Sequence, residues 1–567
     1  MTTRKVPNEK PYAGNPDIRF DEGEVASVAT PRRGFLHYKD VVLATCILMA
    51  KYTRKINWPA LVFCCAPLLI FLSVIFFLDL NPFHWVQSMN DEVAWYTQID
   101  AVVKYGKPLG VFGYDETHAA IGSFGAWGGA SIYAMALWGK IFGWYYYSPL
   151  FMNVSYMVLA NLFFLLFARP NRQATFRLIF LNFSLFLSVH YMFTGMSECT
   201  RYSMAVVLSG VFCFLLNDEN KNKRFYVAVL CVIAPVLLFF FANCYILFSV
   251  FFPVYGYILF RYLDPKKFRI TAFTFLCAIL PSFLALCCIW ILNKTAAPFP
   301  SNNGLALQKY LNQLNICTIF NLLRDNIVKN YKYASIAFIF NNLNGYIDNA
   351  CVSSYLFYYY LVIVVIGSKF VVLLKKTGQK HLLSVLVLYA MLTFVVAFFI
   401  LYSTKLPWTF IRGLNVALVF SMYIVCMFNW RKLNLFLISI AFMQFFPFVA
   451  MSRDFIKTRY QPRNRYGGNY ELFEKYASVF SSNMHISETE NKWDNTYALF
   501  GTMYNFYCMM PSGFGWNYMI HPRSVSKPRY VITDHKVKVS LRGYLKKYQD
   551  DIISIFEKEP LKKETRK

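Results

Sequence analysis

The chain has 567 residues, of which 57% are hydrophobic and 19% aromatic, whereas only 15% are charged. This composition excludes an ordinary soluble globular protein, in which about a quarter of the residues are charged. The formal net charge of +27 would suggest nucleic-acid binding in a soluble protein. Here, however, Lys and Arg lie mainly between apolar runs and in the two tails, a pattern typical of membrane topology signals and of contact with anionic lipids. We therefore predict a polytopic α-helical membrane protein that contacts anionic lipids and binds no nucleic acid.

The N-terminal tail, residues 1–58, is polar and holds ten Lys or Arg residues against six acids. Its apolar run at residues 41–50 is shorter than the roughly 20 residues that cross a bilayer, so we expect a juxtamembrane segment and no cleavable signal peptide. This tail is predicted to be cytoplasmic.

Eleven later runs are apolar enough to be membrane spans. They occupy residues 59–78, 149–168, 178–195, 202–216, 225–241, 243–260, 270–292, 355–374, 382–402, 410–428 and 433–451. The run at 202–216 is short for a bilayer, and we expect its helix to extend by several residues. Residues 59–451 are thus predicted to form one transmembrane domain of about eleven helices.

Residues 126–143 are apolar but rich in glycine, and the distribution of charge decides whether they span. If they do not, the loops on one side of the membrane carry 15 Lys or Arg residues and the short loops opposite carry 3. This bias fits the positive-inside rule, and counting the stretch as a span would reverse it. We therefore expect residues 80–148 to form a large outer loop whose segment 126–143 is a helix lying on the membrane.

The same topology places the loop 293–354 and the tail 452–567 outside the cytoplasm. Basic residues just after the last span oppose this assignment, but long domains are translocated largely regardless of charge. The tail from about residue 470 is predicted to form a small α/β domain, with a strand at RYVITD (529–534) and a helix at LRGYLKKYQDDIISIF (541–556). The composition favours a bacterial plasma membrane, with the endoplasmic reticulum membrane as the alternative.

The segment from Asn90 to Trp127 follows the first predicted span and begins with two adjacent acids, Asp91 and Glu92. Asn90 is a good N-cap, and acids in a first turn stabilise the helix dipole, so both acids are explained by helix formation alone. The alternative is that they carry out chemistry. Periodicity does not distinguish the two interpretations.

Three neighbouring motifs carry a resemblance to a known family: NDEVAWYTQI, the Gly- and Tyr-rich loop GVFGYDETHAAIGSFGAWG, and a juxtamembrane helix that ends in KIFG. Together with the predicted plan of about eleven spans and an outer tail domain, they resemble the GT-C superfamily of membrane glycosyltransferases. The branch that includes protein O-mannosyltransferases and lipid A aminoarabinose transferases is the most similar. The resemblance implies a GT-C-like fold and transfer, with inversion, of one sugar from a polyprenyl-phosphate donor to a glycan, lipid or protein acceptor on the outer face.

Asp91 matches the position of the catalytic base in that family, and the resemblance implies this role for it. A carboxylate within hydrogen-bonding distance can take the proton of an acceptor hydroxyl, as the reaction requires. Glu92 is expected either to hold the helix start or to orient the acceptor.

The leaving phosphate requires cations, and Arg201, Lys405 and Arg412 fall on the outer side of the predicted topology. An arginine fork suits phosphate oxygens, and charged residues near membrane depth are functional candidates. The alternative for each is a side chain that only reaches from the bilayer to the aqueous interface. We predict a site for the donor phosphate at these residues.

Four further residues are candidates for substrate binding. Tyr114, Asp115 and His118 could contact the sugar or phosphate, or stabilise a turn instead. Glu198 is either a second carboxylate of the site or a partner for Arg201 three residues later. The 14 cysteines show no metal-binding spacing, and we predict no metal ligands. The sequence specifies no cofactor and leaves open whether a divalent cation assists the reaction.

Two other functional classes stay open. A transporter or flippase would have a similar number of spans, with broken helices and ionisable residues at mid-membrane. A polysaccharide polymerase or ligase would act on lipid-linked glycans at the same outer face. Release of polyprenyl phosphate from a monosaccharide donor separates the transferase from both.

Overall fold

The fold is described from a computed structural model of the chain. The residues that it describes are 58–85, 90–106, 123–124, 130–145, 147–216, 224–242, 245–263, 279–285, 287, 297–298, 317, 320–321, 324–325, 327–328, 368, 371–372, 380–396, 407–428, 470–485, 496–500, 515–518, 528–534 and 541–559; some positions inside the helices and strands are described by their backbone alone. These residues form a helical bundle followed by a small C-terminal sheet.

The labelled helices of the bundle follow the apolar runs of the sequence. They are α1 (Trp58–Leu78), α2 (Asn90–Tyr105), α3 (Ala130–Phe142), α4 (Ser148–Ala168), α5 (Arg172–Ser184), α6 (Phe186–Met192), α7 (Glu198–Leu216), α8 (Arg224–Phe241), α9 (Phe251–Leu263), α10 (Lys380–Val395) and α11 (Pro407–Cys426). Within the described residues, three helices are long and apolar enough to cross a membrane: α1, α4 and the Glu198–Leu215 part of α7. The helical, membrane-type fold is thus confirmed, whereas the number of eleven spans stays a prediction.

Several helices differ in their bounds from the predicted runs, and two of the differences lie next to the candidate site. α7 begins at Glu198 rather than at residue 202, which is the extension expected for a run too short to span. The run predicted at 178–195 is instead divided, because Leu185 leaves the helical conformation between α5 and α6. Just before it, Ser184 donates its hydroxyl to Phe180 O (2.8 Å), and a serine bonded back to the preceding turn often bends a helix.

α3 corresponds to the ambiguous run at 126–143. Its 13 residues extend over about 20 Å, which is short of a hydrocarbon core about 30 Å thick. It packs against α2, and the two are further tied where Tyr96 stacks on Trp144 with ring centroids 5.4 Å apart. Trp144 Nε1 donates to Tyr96 O (3.3 Å). Leu137 and Ile141 on the other side of α3 are exposed.

An aromatic and amide cluster holds α1, α4, α5 and α11 together. Phe164 contacts Phe63 and Tyr423 with ring centroids 6.1 and 5.1 Å away. Beside these rings, Asn161 Nδ2 donates to Phe63 O (3.0 Å) and to Asn182 Oδ1 (3.3 Å), while Tyr423 OH donates to Asn161 Oδ1 (2.8 Å). The bonds satisfy polar groups that would be costly to bury alone, so they specify how the four helices align.

Two short strands connect the two long loops of the predicted topology. Strand β1 (Ser123–Phe124) pairs in parallel with β2 (Ala297–Pro298). The pairing joins the loop after α1 to the segment after residue 293, so these two parts of the chain meet at one point.

The C-terminal domain contains α12 (Tyr470–Asn483) and the strands β3 (Thr496–Phe500), β4 (Gly515–Tyr518), β5 (Tyr530–Asp534), β6 (Tyr544–Gln549) and β7 (Ile553–Lys558). Its sheet has the order β4-β3-β5-β7-β6, with β4, β3 and β5 parallel and β7 antiparallel to both neighbours. The expected small α/β domain and the strand predicted at RYVITD are confirmed.

The helix predicted at residues 541–556 is wrong, because β6 and β7 form a hairpin there. Asp550 fixes the turn: its Oδ1 accepts hydrogen bonds from Ile552 N and Ile553 N, both 2.8 Å long. Tyr476 OH of α12 donates to Asp550 Oδ2 (2.6 Å). A carboxylate that caps a turn and binds a distant helix outweighs the local helical periodicity.

Candidate functional site

The turn at residues 193–197 connects the end of α6 to the start of α7. The last carbonyls of a helix have no hydrogen-bond donors within that helix, and here the side-chain amide of Asn153 in α4 donates to this segment. Its Nδ2 donates to Thr194 O (2.7 Å) and, at longer range, to Tyr191 O (3.3 Å) and Met192 O (3.4 Å). Asn153 is fully buried. The turn is therefore held from the side by a neighbouring helix.

Glu92 binds the same turn from α2. Gly195 N donates to Glu92 Oε1 (2.8 Å), and the Glu92 side chain is fully buried. A hydrogen bond to a carboxylate is charge-assisted and short, so this is a strong contact between the first turn of α2 and the segment that begins α7. The two interpretations offered for Glu92, holding the start of its own helix or orienting the acceptor, both stay predictions; the contact shows a third role, in which Glu92 attaches α2 to the turn before α7.

Glu198 and Arg201 lie in the first turn of α7, directly after the Gly195 turn. Arg201 Nη1 is 3.0 Å from Glu198 Oε1, which is the i to i+3 pairing that the sequence offered as the simpler explanation. Both are more than nine-tenths buried. The guanidinium carbon of Arg201 also lies 4.3 Å from the ring centroid of Tyr245, within the range of a cation–π contact.

The start of α11 lies at the same end of the bundle. Cys426 O, at its C-terminal end, accepts a hydrogen bond from Arg177 Nε (2.8 Å) near the start of α5, whereas Asn415 Nδ2 lies 3.5 Å from Ser188 Oγ in α6. α11 therefore runs antiparallel to α5 and α6. Its first turns, which include the backbone of Arg412, lie near the end of α6.

The other predicted site residues lie outside what the structure describes. Asp91 is in the first turn of α2, but its side chain is not described. Tyr114, Asp115, His118 and Lys405 lie wholly outside the described residues, as do the side-chain contacts of Arg412. The described contacts thus join Glu92 to the turn that precedes Glu198 and Arg201 in α7, and the backbone of Asp91 lies next to Glu92 in α2.

Sequence reasoning missed Asn153 and Tyr245. Both contact the site through the tertiary fold, since Asn153 is about 40 residues from the carbonyls it binds. One signal was present: an asparagine in an otherwise apolar run has to satisfy its amide inside the bundle. That signal marks the residue without identifying its partner.

The arrangement places the buried Arg201–Glu198 pair directly after the turn that binds the buried carboxylate of Glu92. The Arg201 guanidinium has more donors than the one that binds Glu198, and such donors suit an anionic group. Among the described residues, no three His, Cys, Asp or Glu side chains lie together as a metal ion would require. The chain matches no family model, no curated protein and no solved structure.

Proposed function

We propose that this protein is an inverting membrane glycosyltransferase, which moves one sugar from a polyprenyl-phosphate donor to a glycan, lipid or protein acceptor. The observation that carries the proposal is the hydrogen bond from Gly195 N to Glu92 Oε1. It joins the helix that contains Asp91 to the start of the helix that contains Arg201. A base for the acceptor and a cation for the leaving phosphate are the two groups that this reaction needs.

In the proposed reaction, the Asp91 carboxylate takes the proton of an acceptor hydroxyl. The acceptor oxygen then forms a bond to the anomeric carbon on the face opposite the phosphate. The bond between that carbon and the phosphate oxygen breaks, and its electron pair stays on the phosphate. Arg201 stabilises the resulting charge, because a preformed cation in a site of low dielectric is worth more than one in water.

The remaining residues have supporting roles in the proposal. Lys405 and Arg412 also contact the donor phosphate, and Tyr114, Asp115 and His118 contact the sugar or the acceptor. Glu92 anchors α2. The site lies on the outer face of a bacterial plasma membrane, in a GT-C-like domain of about eleven spans with the N terminus cytoplasmic and the C-terminal domain outside.

One observation favours a transporter or flippase as the second candidate. The break between α5 and α6 at Leu185 produces a discontinuous helix, and such helices form substrate and ion sites in transporters. A transporter leaves its substrate covalently unchanged, so chemistry on the donor distinguishes the two candidates.

The test uses full-length protein in vesicles with monosaccharide donors labelled in the sugar and in the polyprenyl phosphate. A transferase releases polyprenyl phosphate in an amount equal to the sugar that appears on the acceptor. Movement of intact donor between leaflets, without release, would support the flippase instead. Transfer of oligosaccharides but not of single sugars would support a polymerase or ligase.

A further inference from the structure

We propose that Asn153 is a positioning residue for the transfer reaction, which acts through the turn at residues 193–197 and through Glu92 on Asp91. The inference rests on the proposed function. It assigns a reaction-linked role to a buried amide in α4 that carries no charge and does not belong to the candidate donor or acceptor groups.

The first step of the argument is how the turn is fixed. Thr194 Oγ1 donates to Tyr191 O (2.9 Å) and accepts from Met196 N (3.3 Å), so the turn has its own local bonds. These bonds do not fix its position against the bundle. Asn153 does so, through the 2.7 Å bond to Thr194 O, the residue next to Gly195.

The second step concerns the backbone amide of Gly195 in the turn and its bond to α2. Gly195 N donates to Glu92 Oε1 (2.8 Å), and this bond connects the first turn of α2 to the turn at residues 193–197. A shift of the turn would therefore move or release Glu92, and Asp91 is the neighbouring residue in the same helical turn. A displacement of 1 Å at a reacting group can reduce a rate by about 100-fold.

The third step separates positioning from packing. Asn161 lies eight residues later on the same helix, is also buried, and also donates its amide to a backbone carbonyl, that of Phe63 (3.0 Å). Eight residues correspond to about 12 Å along the helix axis, which removes Asn161 from the turn. Asn161 also bonds Asn182 and Tyr423, so Asn161→Ala is a control that removes more buried amide bonds from the same helix, at a distance from the turn.

The experiment compares Asn153→Ala with Asn161→Ala in the full-length protein, at equal amounts of folded material. Asn153→Ala should lower kcat by about 10- to 100-fold with KM for the donor changed by less than about threefold, because geometry is altered and the phosphate contact is not. Hydrogen exchange at the 193–197 amides should accelerate. Asn161→Ala should leave both readouts within about threefold of the wild type.

Glu92 provides a second route if Asn153→Ala does not fold. Glu92→Ala removes the acceptor for Gly195 N and should show the same fall in kcat, while Glu92→Gln keeps an acceptor oxygen and should largely restore it. Combining Asn153→Ala with Glu92→Ala should cost little more than either alone, because both act through one contact.

The outcomes separate the two proposals. If the wild type is active, equal kcat values for Asn153→Ala and Asn161→Ala would overturn the positioning role alone. Exchange of the 193–197 amides at the wild-type rate in Asn153→Ala would also overturn it. A wild type that transfers no sugar from any polyprenyl-phosphate donor would overturn both the function and the positioning role.

Discussion

Glu92 attaches α2 to the turn before α7. Its buried carboxylate accepts the hydrogen bond of Gly195 N, and a group with that task is less suited to take a proton from an acceptor. Asp91 is the residue that matches the base position of the family in the sequence, and its side chain lies outside the described residues. The different roles proposed for the two acids make them separable by substitution.

Asp91→Asn should reduce turnover by at least about 100-fold, the lower range for general-base catalysis, while donor binding persists. Glu92→Gln should cost less than about tenfold, because a neutral oxygen still accepts the Gly195 bond at roughly half the strength. Product formation from a labelled donor measures both. Near-normal transfer by Asp91→Asn, or a larger loss in Glu92→Gln, would show that the wrong carboxylate was chosen as the base.

The role of Arg201 has to be tested in a double variant, because removing Arg201 alone would leave the Glu198 carboxylate buried without its cation. Arg201→Ala is therefore combined with Glu198→Gln and compared with Glu198→Gln alone. A lost charged hydrogen bond is worth about 1.5–3 kcal/mol, so donor binding should weaken by about 10- to 100-fold in the double variant.

Arg201→Lys should restore part of that binding, because lysine keeps the charge but loses the planar fork. Equilibrium binding of a labelled donor measures all of these variants. Equal donor affinity in Glu198→Gln with and without Arg201 would leave Arg201 a structural residue that pairs with Glu198 and Tyr245.

The elements of the chain were predictable to different degrees. The long apolar helices were evident because burial in a bilayer or a bundle requires an uninterrupted apolar run, as in α1 and α4. The break at Leu185 was not evident, since leucine favours helices and no proline or glycine lies near it in the sequence. The hairpin β6–β7 was predicted as a helix because Asp550 acts through α12, about 70 residues away.

Asp550 also makes the C-terminal domain sensitive to acid. Burial alone would raise the pKa of Asp550, but hydrogen bonds from Tyr476, Ile553, Ile552 and Tyr548 outweigh it and lower the pKa below its usual value. The ionised form is therefore favoured by folding. Its contribution to stability is complete above the ordinary pKa of about 4 and is lost as the pH falls below that value.

Asp550→Asn should destabilise this domain at pH 7 by about 1–3 kcal/mol and weaken its dependence on acid. Asp551→Asn is the matched control, because Asp551 is exposed and adjacent. Protease resistance of residues 528–559 in the full-length protein, measured from pH 7 to pH 3, checks both. Identical resistance in the two variants would contradict the assigned role of Asp550.

For the whole molecule, sequence patterns predicted the class of fold and several residues of the candidate site, but not the contacts that organise it. Glu198 and Arg201 were predictable as a pair because three residues on a helix bring side chains together. Asn153, Gly195 and Glu92 were not, since their bonds join helices far apart in the chain. Periodicity identifies a helix face, whereas the partner of that face is a property of the assembled bundle.

The orientation of the chain in the membrane is the prediction on which the outer-face site depends. Single cysteines at Tyr105, Ser482 and Arg172 test it, because all three positions are exposed in the structure. With labelling of native thiols subtracted, Tyr105→Cys and Ser482→Cys should react with an impermeant thiol reagent added to intact cells. Arg172→Cys, at the first residue of α5 directly after the short loop from α4, should react only after permeabilisation, because positively charged short loops stay in the cytoplasm.

These three positions report on separate parts of the topology. Protection of Ser482→Cys alone would retain the first outer loop but move the C-terminal domain to the cytoplasm, which requires an even number of spans after α7. Labelling of Arg172→Cys in intact cells would reverse the bundle and place the Gly195 turn, with Glu92 and Arg201, on the cytoplasmic side. In that case the sugar donor would have to be used on the cytoplasmic face, where soluble nucleotide sugars compete with lipid-linked donors, and the proposed donor class would be wrong.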